Sequence, residues 1–130
     1  MKIILVVANA GREHALVWKL KQSPHVAEVF CAPGNGGMEW GPVAYRSTHV
    51  PIAVEKIEAL KEWALRHAID LTVVGPEKPL VMGITDLFEK AGLRIFGVTQ
   101  KAAQLESSKV FAKKILKKYH IPTASFEIFD

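Results

Sequence analysis

Residues 6–15, Val-Val-Ala-Asn-Ala-Gly-Arg-Glu-His-Ala, constrain the chain more than any other stretch. The apolar run from Ile3 to Val7 stops at small residues, and a helix-like pattern restarts at Glu13. A buried parallel strand that turns tightly into a helix has this signature. Such a turn aims the unpaired backbone N–H groups of the helix N-terminus into the crevice above the strand, where anions bind. The turn also carries a guanidinium, a carboxylate and an imidazole in succession, Arg12, Glu13 and His14. A plain connection has no use for three such groups, so the segment reads as a ligand-contacting loop.

The register argues against a dinucleotide fingerprint. Gly-x-Gly-x-x-Gly needs glycine at positions 8, 10 and 13, where this chain has Ala8, Ala10 and Glu13. The next strand-like run, Val26 to Cys31, has no acid at its end to hold a ribose; Glu28 falls mid-strand, on the solvent side. A nicotinamide-binding dehydrogenase is the weaker reading.

Downstream, strand-like and helix-like segments alternate. A helix over 13–22 and a strand over 26–31 lead into Ala32-Pro33-Gly34-Asn35-Gly36-Gly37, a loop whose glycines permit positive φ and close backbone approach to a ligand. A short strand is expected at 43–45. Residues 54–66 are amphipathic, with Val54, Ile57, Leu60, Trp63 and Ala64 on one face. Leu71 to Val74 reads as a buried strand ending in Gly75-Pro76-Glu77, Leu80 to Ala91 as a helix closed by Gly92, and 94–97 as a short strand. The pattern predicts an α/β fold, a parallel sheet with helices on both faces. Ligands of such sheets bind at the carboxyl ends of the strands, where residues 8–14, 32–37 and 75–77 all fall. From Thr99 the character changes. A short helix at 102–106 and a second at 109–119, capped by Ser107-Ser108, precede Pro122 and a strand-like run at 124–129.

Composition excludes several classes. The chain has 130 residues, 49% hydrophobic and 23% charged, enough for one globular domain with a short appendage. No apolar run approaches the ~18 residues of a membrane helix, and Met1 to Ala8 reads as the first strand rather than a signal peptide. No membrane partner is expected. Cys31, the only cysteine, excludes an internal disulfide and fits a reducing cytoplasm, as a small buried side chain at a strand end. The net charge of +4 is concentrated in five lysines at 109, 113, 114, 117 and 118. They lack the aromatic and glycine interleaving of RNA-binding modules, so a solvated helix face is expected and no nucleic-acid partner.

Several motifs in order are recognisable: Gly11-Arg12-Glu13-His14-Ala15-Leu16, Ala32-Pro33-Gly34-Asn35-x-Gly37, Val73-Val74-Gly75-Pro76-Glu77-x-Pro79-Leu80, Gly83-Ile84-x-Asp86-x-Phe88, Phe96-Gly97, Ala102-Ala103-x-Leu105-Glu106-x-Ser108-Lys109 and Ile121-Pro122-Thr123-Ala124. Together they resemble the N-terminal part of the glycinamide ribonucleotide synthetase family, within the ATP-grasp superfamily. The resemblance covers nearly the whole chain and about the first third of a full-length member. It implies a Rossmann-like pre-ATP-grasp domain over residues 1–106, with 107–130 leading into an ATP-grasp domain. The implied activity is ATP-dependent joining of glycine to 5-phosphoribosylamine in purine synthesis, with ATP and Mg²⁺ bound mainly by other domains. The implied small-molecule partners are phosphoribosylamine, glycine and ATP.

By that resemblance the phosphoribosyl group is cradled by Gly11, Arg12, Glu13, His14, Pro33, Gly34, Asn35, Gly75, Pro76 and Glu77, and Lys109 reaches ATP phosphate. No residue of this segment is assigned a catalytic or metal-binding role. Plainer readings stand beside these. Glu77 caps the helix beginning near Leu80, His14 packs on the second strand, Gly34 and Gly37 make turns, and Lys109 is one more solvated lysine. The chain also departs from the family pattern, with Ala8 and Ala10 where glycine is common, Val98 in place of proline, and Met38-Glu39-Trp40 in place of small residues. Two function classes follow: a substrate-binding piece of a ligase, inactive alone, or a free-standing nucleotide-sensing or interaction domain of the same fold. An apolar stripe of Phe111, Ile115 and Tyr119 is expected to pack on a following domain or to drive self-association.

Overall fold

The computed structural model describes residues 1–39 and 47–127. The first strand, β1 (Lys2–Ala8), lies at the centre of a five-stranded, all-parallel sheet. The others are β2 (Val26–Pro33), β3 (Thr48–His49), β4 (Leu71–Val74) and β5 (Ile95–Phe96), in the order β3-β2-β1-β4-β5. Among the described residues the helices are α1 (Gly11–Lys21), α2 (Gly36–Glu39), α3 (Ile57–Arg66), α4 (Glu77–Val81), α5 (Ile84–Lys90), α6 (Gln100–Ser107) and α7 (Lys109–Lys118).

Alternation along β1 sets the two cores. Leu5 and Val7 join Leu60 and Ala64 of α3 and Ile84 and Phe88 of α5 on one face. Ile4, Val6 and Ala8 join Val17 of α1, Cys31 and Met38 on the other. Side chains alternate with a period of two along a strand. A central strand buried on both faces therefore reads as a continuous apolar run, as Ile3–Ala8 does.

The sheet order places a topological switch between β1 and β4. The chain winds outward through β2 and β3, then returns across β1 to add β4 and β5 on the other side. The loops leaving β1 and β4 diverge to opposite faces there, which opens the crevice where such sheets bind ligands.

Several elements differ from the sequence expectation. The helix expected over Leu80–Ala91 is two helices, because Gly83 sits at φ +91° and interrupts the right-handed path between α4 and α5. Of the glycines in the 32–37 loop, only Gly34 (φ +77°) takes positive φ. Gly36 and Gly37 instead open α2, a helix the composition hid. The strand expected at 43–45 lies outside the described residues, and the observed edge strand is β3. Residues 124–127 form no strand, and 128–129 lie outside the described residues.

Three helices end in the same Schellman motif. After α5, Gly92 (φ +73°) donates to the Glu89 carbonyl and Leu93 to that of Phe88. The same pair of bonds closes α3, from Ala68 to Leu65 and from Ile69 to Ala64, and α7, from His120 to Lys117 and from Ile121 to Leu116. At these two ends the left-handed position holds Ala68 (φ +49°) and His120 (φ +53°). The left-handed region costs a residue with a Cβ about 1–2 kcal/mol, and glycine gives back about 0.4–1 kcal/mol through the entropy of the unfolded chain. Ala68→Gly should therefore stabilise the fold by roughly 0.5–1 kcal/mol. A higher denaturant midpoint at unchanged slope is the expected reading; no gain would mean the motif relaxes at no cost.

Candidate functional site

The site is assembled around the carboxyl end of β1. Gly34 N–H donates to the Ala8 carbonyl at 2.8 Å and Gly75 N–H to the Val7 carbonyl at 3.1 Å, so the β2 and β4 loops flank the β1 turn on either side. Ala10 is the N-cap of α1 in extended backbone, φ −131° and ψ 178°. Neither Ala8 nor Ala10 takes positive φ, so alanine is unstrained at both positions where the family commonly has glycine.

Glu13 organises this turn from inside. Its side chain is 1% exposed, and its Oε2 accepts from Ala10 N–H at 2.9 Å and, at a long 3.4 Å, from Asn9 N–H. Ala10 has no side-chain oxygen to return a bond, so this is one half of a capping box. The other oxygen, Oε1, is buried without a hydrogen-bond partner. The Arg12 Nε lies 3.7 Å from it, near enough for attraction and too far for a hydrogen bond. The carboxylate is packed against Gly75, where an added Cβ would overlap Glu13 Cγ and lie 2.8 Å from Oε1. Only a residue without a side chain fits there.

Arg12 and Glu77 face outward from the same junction. Arg12 Nη1 donates to Glu77 Oε1 at 3.0 Å, joining α1 to the first residue of α4 across the switch point. Both side chains are exposed, 68% and 48%. The Arg12 hydrogen bond, followed by the bond from its own backbone N–H, holds the Glu77 carboxyl below the usual carboxylate range. Glu77 pushes the Arg12 pKa up in return, with Glu13 and the more distant Glu106 of α6 adding smaller fields. Nothing in the local sequence pattern marked Glu106 as a neighbour of Arg12; only the return of α6 past α4 brings it there.

The remaining predicted residues divide by role. His14 is half-buried, and its ring packs over Gly37, where a Cβ would meet Cε1 at 3.0 Å. Asn35 is used within the fold. Its Oδ1 accepts from Gly37 and Met38 N–H at 3.0 and 3.3 Å, starting α2, and its Nδ2 donates weakly to the Ala10 carbonyl at 3.4 Å. Pro33 ends β2, half-buried, and Pro76 is the buried N-cap of α4. Gly34 makes the turn after Pro33, and a Cβ there would meet Cys31 Cβ at 3.1 Å. Around a Cβ at Gly11 there is open space, so the backbone at the α1 N-terminus is free for close approach. Glu77 does not cap a helix beginning at Leu80; it is itself the first residue of α4. Lys109 is exposed at the start of α7, behind the Ser108 cap, and lines a different concavity with Val110, Lys113 and Phe126. Among the described residues, no group of three or more His, Cys, Asp or Glu is placed to hold a metal.

An all-parallel sheet with helices on its faces and a crevice at the β1/β4 switch defines the class, a Rossmann-like α/β domain. The biotin carboxylase subunit of pyruvate carboxylase superposes with a TM-score of 0.67 at 16% identity, over 96% of this chain and 29% of that one. Glycinamide-RNase-transformylase T from Mycobacterium tuberculosis gives 0.65 at 17% identity, over 95% and 37%. At such identities the likeness is one of fold. Sequence is more specific: residues 1–106 match the family model of the phosphoribosylglycinamide synthetase N domain, and the chain belongs to that family. Phosphoribosylamine–glycine ligase of Caldanaerobacter subterraneus subsp. tengcongensis is 54% identical over 127 residues, and that of Escherichia coli K12 52% over 126. The chain spans 29% of the length of these curated relatives.

Gly75 tests the architecture of the site. Gly75→Ala should destabilise by about 1–3 kcal/mol, the usual range for overpacking, because the methyl must displace a buried carboxylate with nowhere to go. Thermal unfolding reads the loss. A neutral Gly75→Ala would show that Glu13 is not wedged there.

Proposed function

We propose that this chain is the substrate-holding N domain of an ATP-dependent ligase that joins glycine to 5-phosphoribosylamine in purine biosynthesis. The observation that carries the reading is the junction of Arg12, Glu13 and Glu77 at the β1/β4 switch point. A phosphoribosyl group asks for two things, donors for its phosphate and acceptors for its hydroxyls. Arg12 and the free N–H groups of the first turn of α1 supply the donors. Glu77, kept ionised by its neighbours, supplies the acceptor. Glu13 fixes the turn that presents both, and Gly11 leaves room above it.

The family model ends at residue 106, and this supports reading 107–130 as the lead into the next domain. The apolar stripe of that region supports it too. Val110 and Tyr119 are 46% and 62% exposed, while Phe111 and Ile115 line a shallow groove against Ala102 and Leu105 of α6. Lys109 offers one exposed ammonium, a point charge suited to a phosphate, and is assigned to ATP. ATP supplies the phosphoryl group that activates the glycine carboxylate, and the ribosylamine nitrogen then attacks the acyl carbon, the C–N bond forming as phosphate leaves. This segment's part is to hold and orient the amine. Mg²⁺ falls to the other domains, since the carboxylates at this crevice are spent on Arg12 and on the turn. A cytoplasmic setting belongs to the same proposal and agrees with the buried thiol of Cys31.

Two measurements test the reading. Phosphoryl transfer needs clamps on the transferring group, so the chain alone should release no ADP in the presence of glycine, phosphoribosylamine and ATP. Measurable substrate-dependent release would contradict the division of labour. For binding, calorimetry with glycinamide ribonucleotide should show Arg12→Ala and Glu77→Ala each weaker by roughly tenfold or more, the size of a lost charge-assisted hydrogen bond. Arg12→Ala should also flatten the salt dependence, because its partner is the phosphate. Unchanged affinity in both variants would remove the site from this crevice.

A further inference from the structure

We infer that Glu77 is a selectivity gate for the crevice: its carboxylate occupies Arg12 so that a bare anion is disfavoured, and a ligand carrying both phosphate and hydroxyls opens the pair by satisfying each partner. The inference rests on the crevice assignment above and adds a specificity role to it. Its basis is the 3.0 Å contact between two exposed side chains on different helices, α1 and α4, that meet only at the switch point.

The arrangement has an unusual charge balance for an anion site. Arg12 is faced by Glu77 at hydrogen-bond distance, by the buried Glu13 at 3.7 Å and, farther off, by Glu106. Two carboxylates lie within 4 Å of one guanidinium, and a third adds a weaker field from farther off. A free anion entering here must break the Arg12–Glu77 bond and then sit beside the carboxylate it displaced, a like-charge contact with no compensation. A sugar phosphate breaks the same bond and gives Glu77 new donors, the ribose hydroxyls, in exchange. The carboxylate that repels one ligand therefore binds the other. Discrimination by leaving a buried or paired group unsatisfied against the wrong ligand is a general route to specificity.

Glu13 cannot take over this function. It is 1% exposed, and its open oxygen is covered within the turn. Of the carboxylates facing Arg12, Glu77 is the one both exposed and bonded to it.

The experiment follows the backbone amides of Gly11 and Arg12 by NMR while sulfate is titrated into the 130-residue chain, with ionic strength held constant by chloride. Glu77→Gln keeps the shape of the side chain and removes its charge. It should tighten sulfate by about two- to fivefold, the size of what an exposed ion pair withholds, and weaken glycinamide ribonucleotide in parallel. Adding Arg12→Ala to Glu77→Gln should abolish the gain. Amide shifts far from residues 9–13 and 75–78 confirm that each variant is folded. If Glu77→Gln binds sulfate no tighter while Arg12→Ala still weakens both ligands, the gate is overturned and the crevice assignment survives. If Arg12→Ala changes neither ligand in either background, Arg12 is not the anion group and both readings fall.

Discussion

The geometry of this domain depends on one buried carboxylate. Glu13 lies inside the first turn of α1, where its Oε2 accepts the Ala10 N–H and the positive end of the helix dipole offsets its charge. Burying a carboxylate is costly unless such partners are in place, so the turn and the side chain select one conformation of each other. The same side chain closes the space beside Gly75 and brings the β4 loop against the β1 loop. Two connections that the topology sends to opposite faces of the sheet are thereby locked at their starting points. The positions of Arg12 and Glu77 follow, because each is anchored one or two residues from this lock.

A division of labour among charged groups results. Glu13 is structural in its contacts and sets where the others stand. Arg12 and Glu77 remain at the surface, paired with each other across the switch point. An exposed ion pair contributes little to stability. The basic excess of α7 stays out of this balance. Its lysines are distributed over a different surface, with Lys113 bonded to Thr123 and the Ala124 carbonyl.

The parallel sheet and the succession of its main elements were legible because apolar runs and glycine-rich stops are local signals. A strand buried on both faces lacks the polar–apolar alternation of a half-exposed one, and Ile3–Ala8 shows that lack plainly. The β1–α1 turn was legible for the same reason, and so was the gathering of residues 8–14, 32–37 and 75–77 at one edge, which follows from parallel topology. The break at Gly83 was not. A glycine within a helical pattern reads as tolerated until its φ is known, and here it is +91°, between α4 and α5. The role of Asn35 in starting a helical turn also escaped sequence reading, since such an amide looks like any other; its Oδ1 accepts from the Gly37 and Met38 N–H groups. The Arg12–Glu77 pair spans 65 residues, and no periodicity encodes a contact of that separation.

The alanines at positions 8 and 10 show why a sequence departure need not be a functional one. Glycine matters where the backbone requires positive φ or where a Cβ would collide. Ala10 sits in extended backbone and Ala8 within a regular strand, so neither condition holds. At Gly75 the collision condition holds, and at Gly34 the φ condition does. The glycines this chain retains at those two positions are thus ones the crevice needs. Those it lacks stand where a methyl is accommodated, Ala8 within the apolar layer beneath α1 and Ala10 at a cap whose own N–H is bonded by Glu13 reaching back. Because Glu13 bonds the backbone N–H of the cap residue, its role is the same with alanine or glycine there, and the N-terminus of α1 stays open at Gly11.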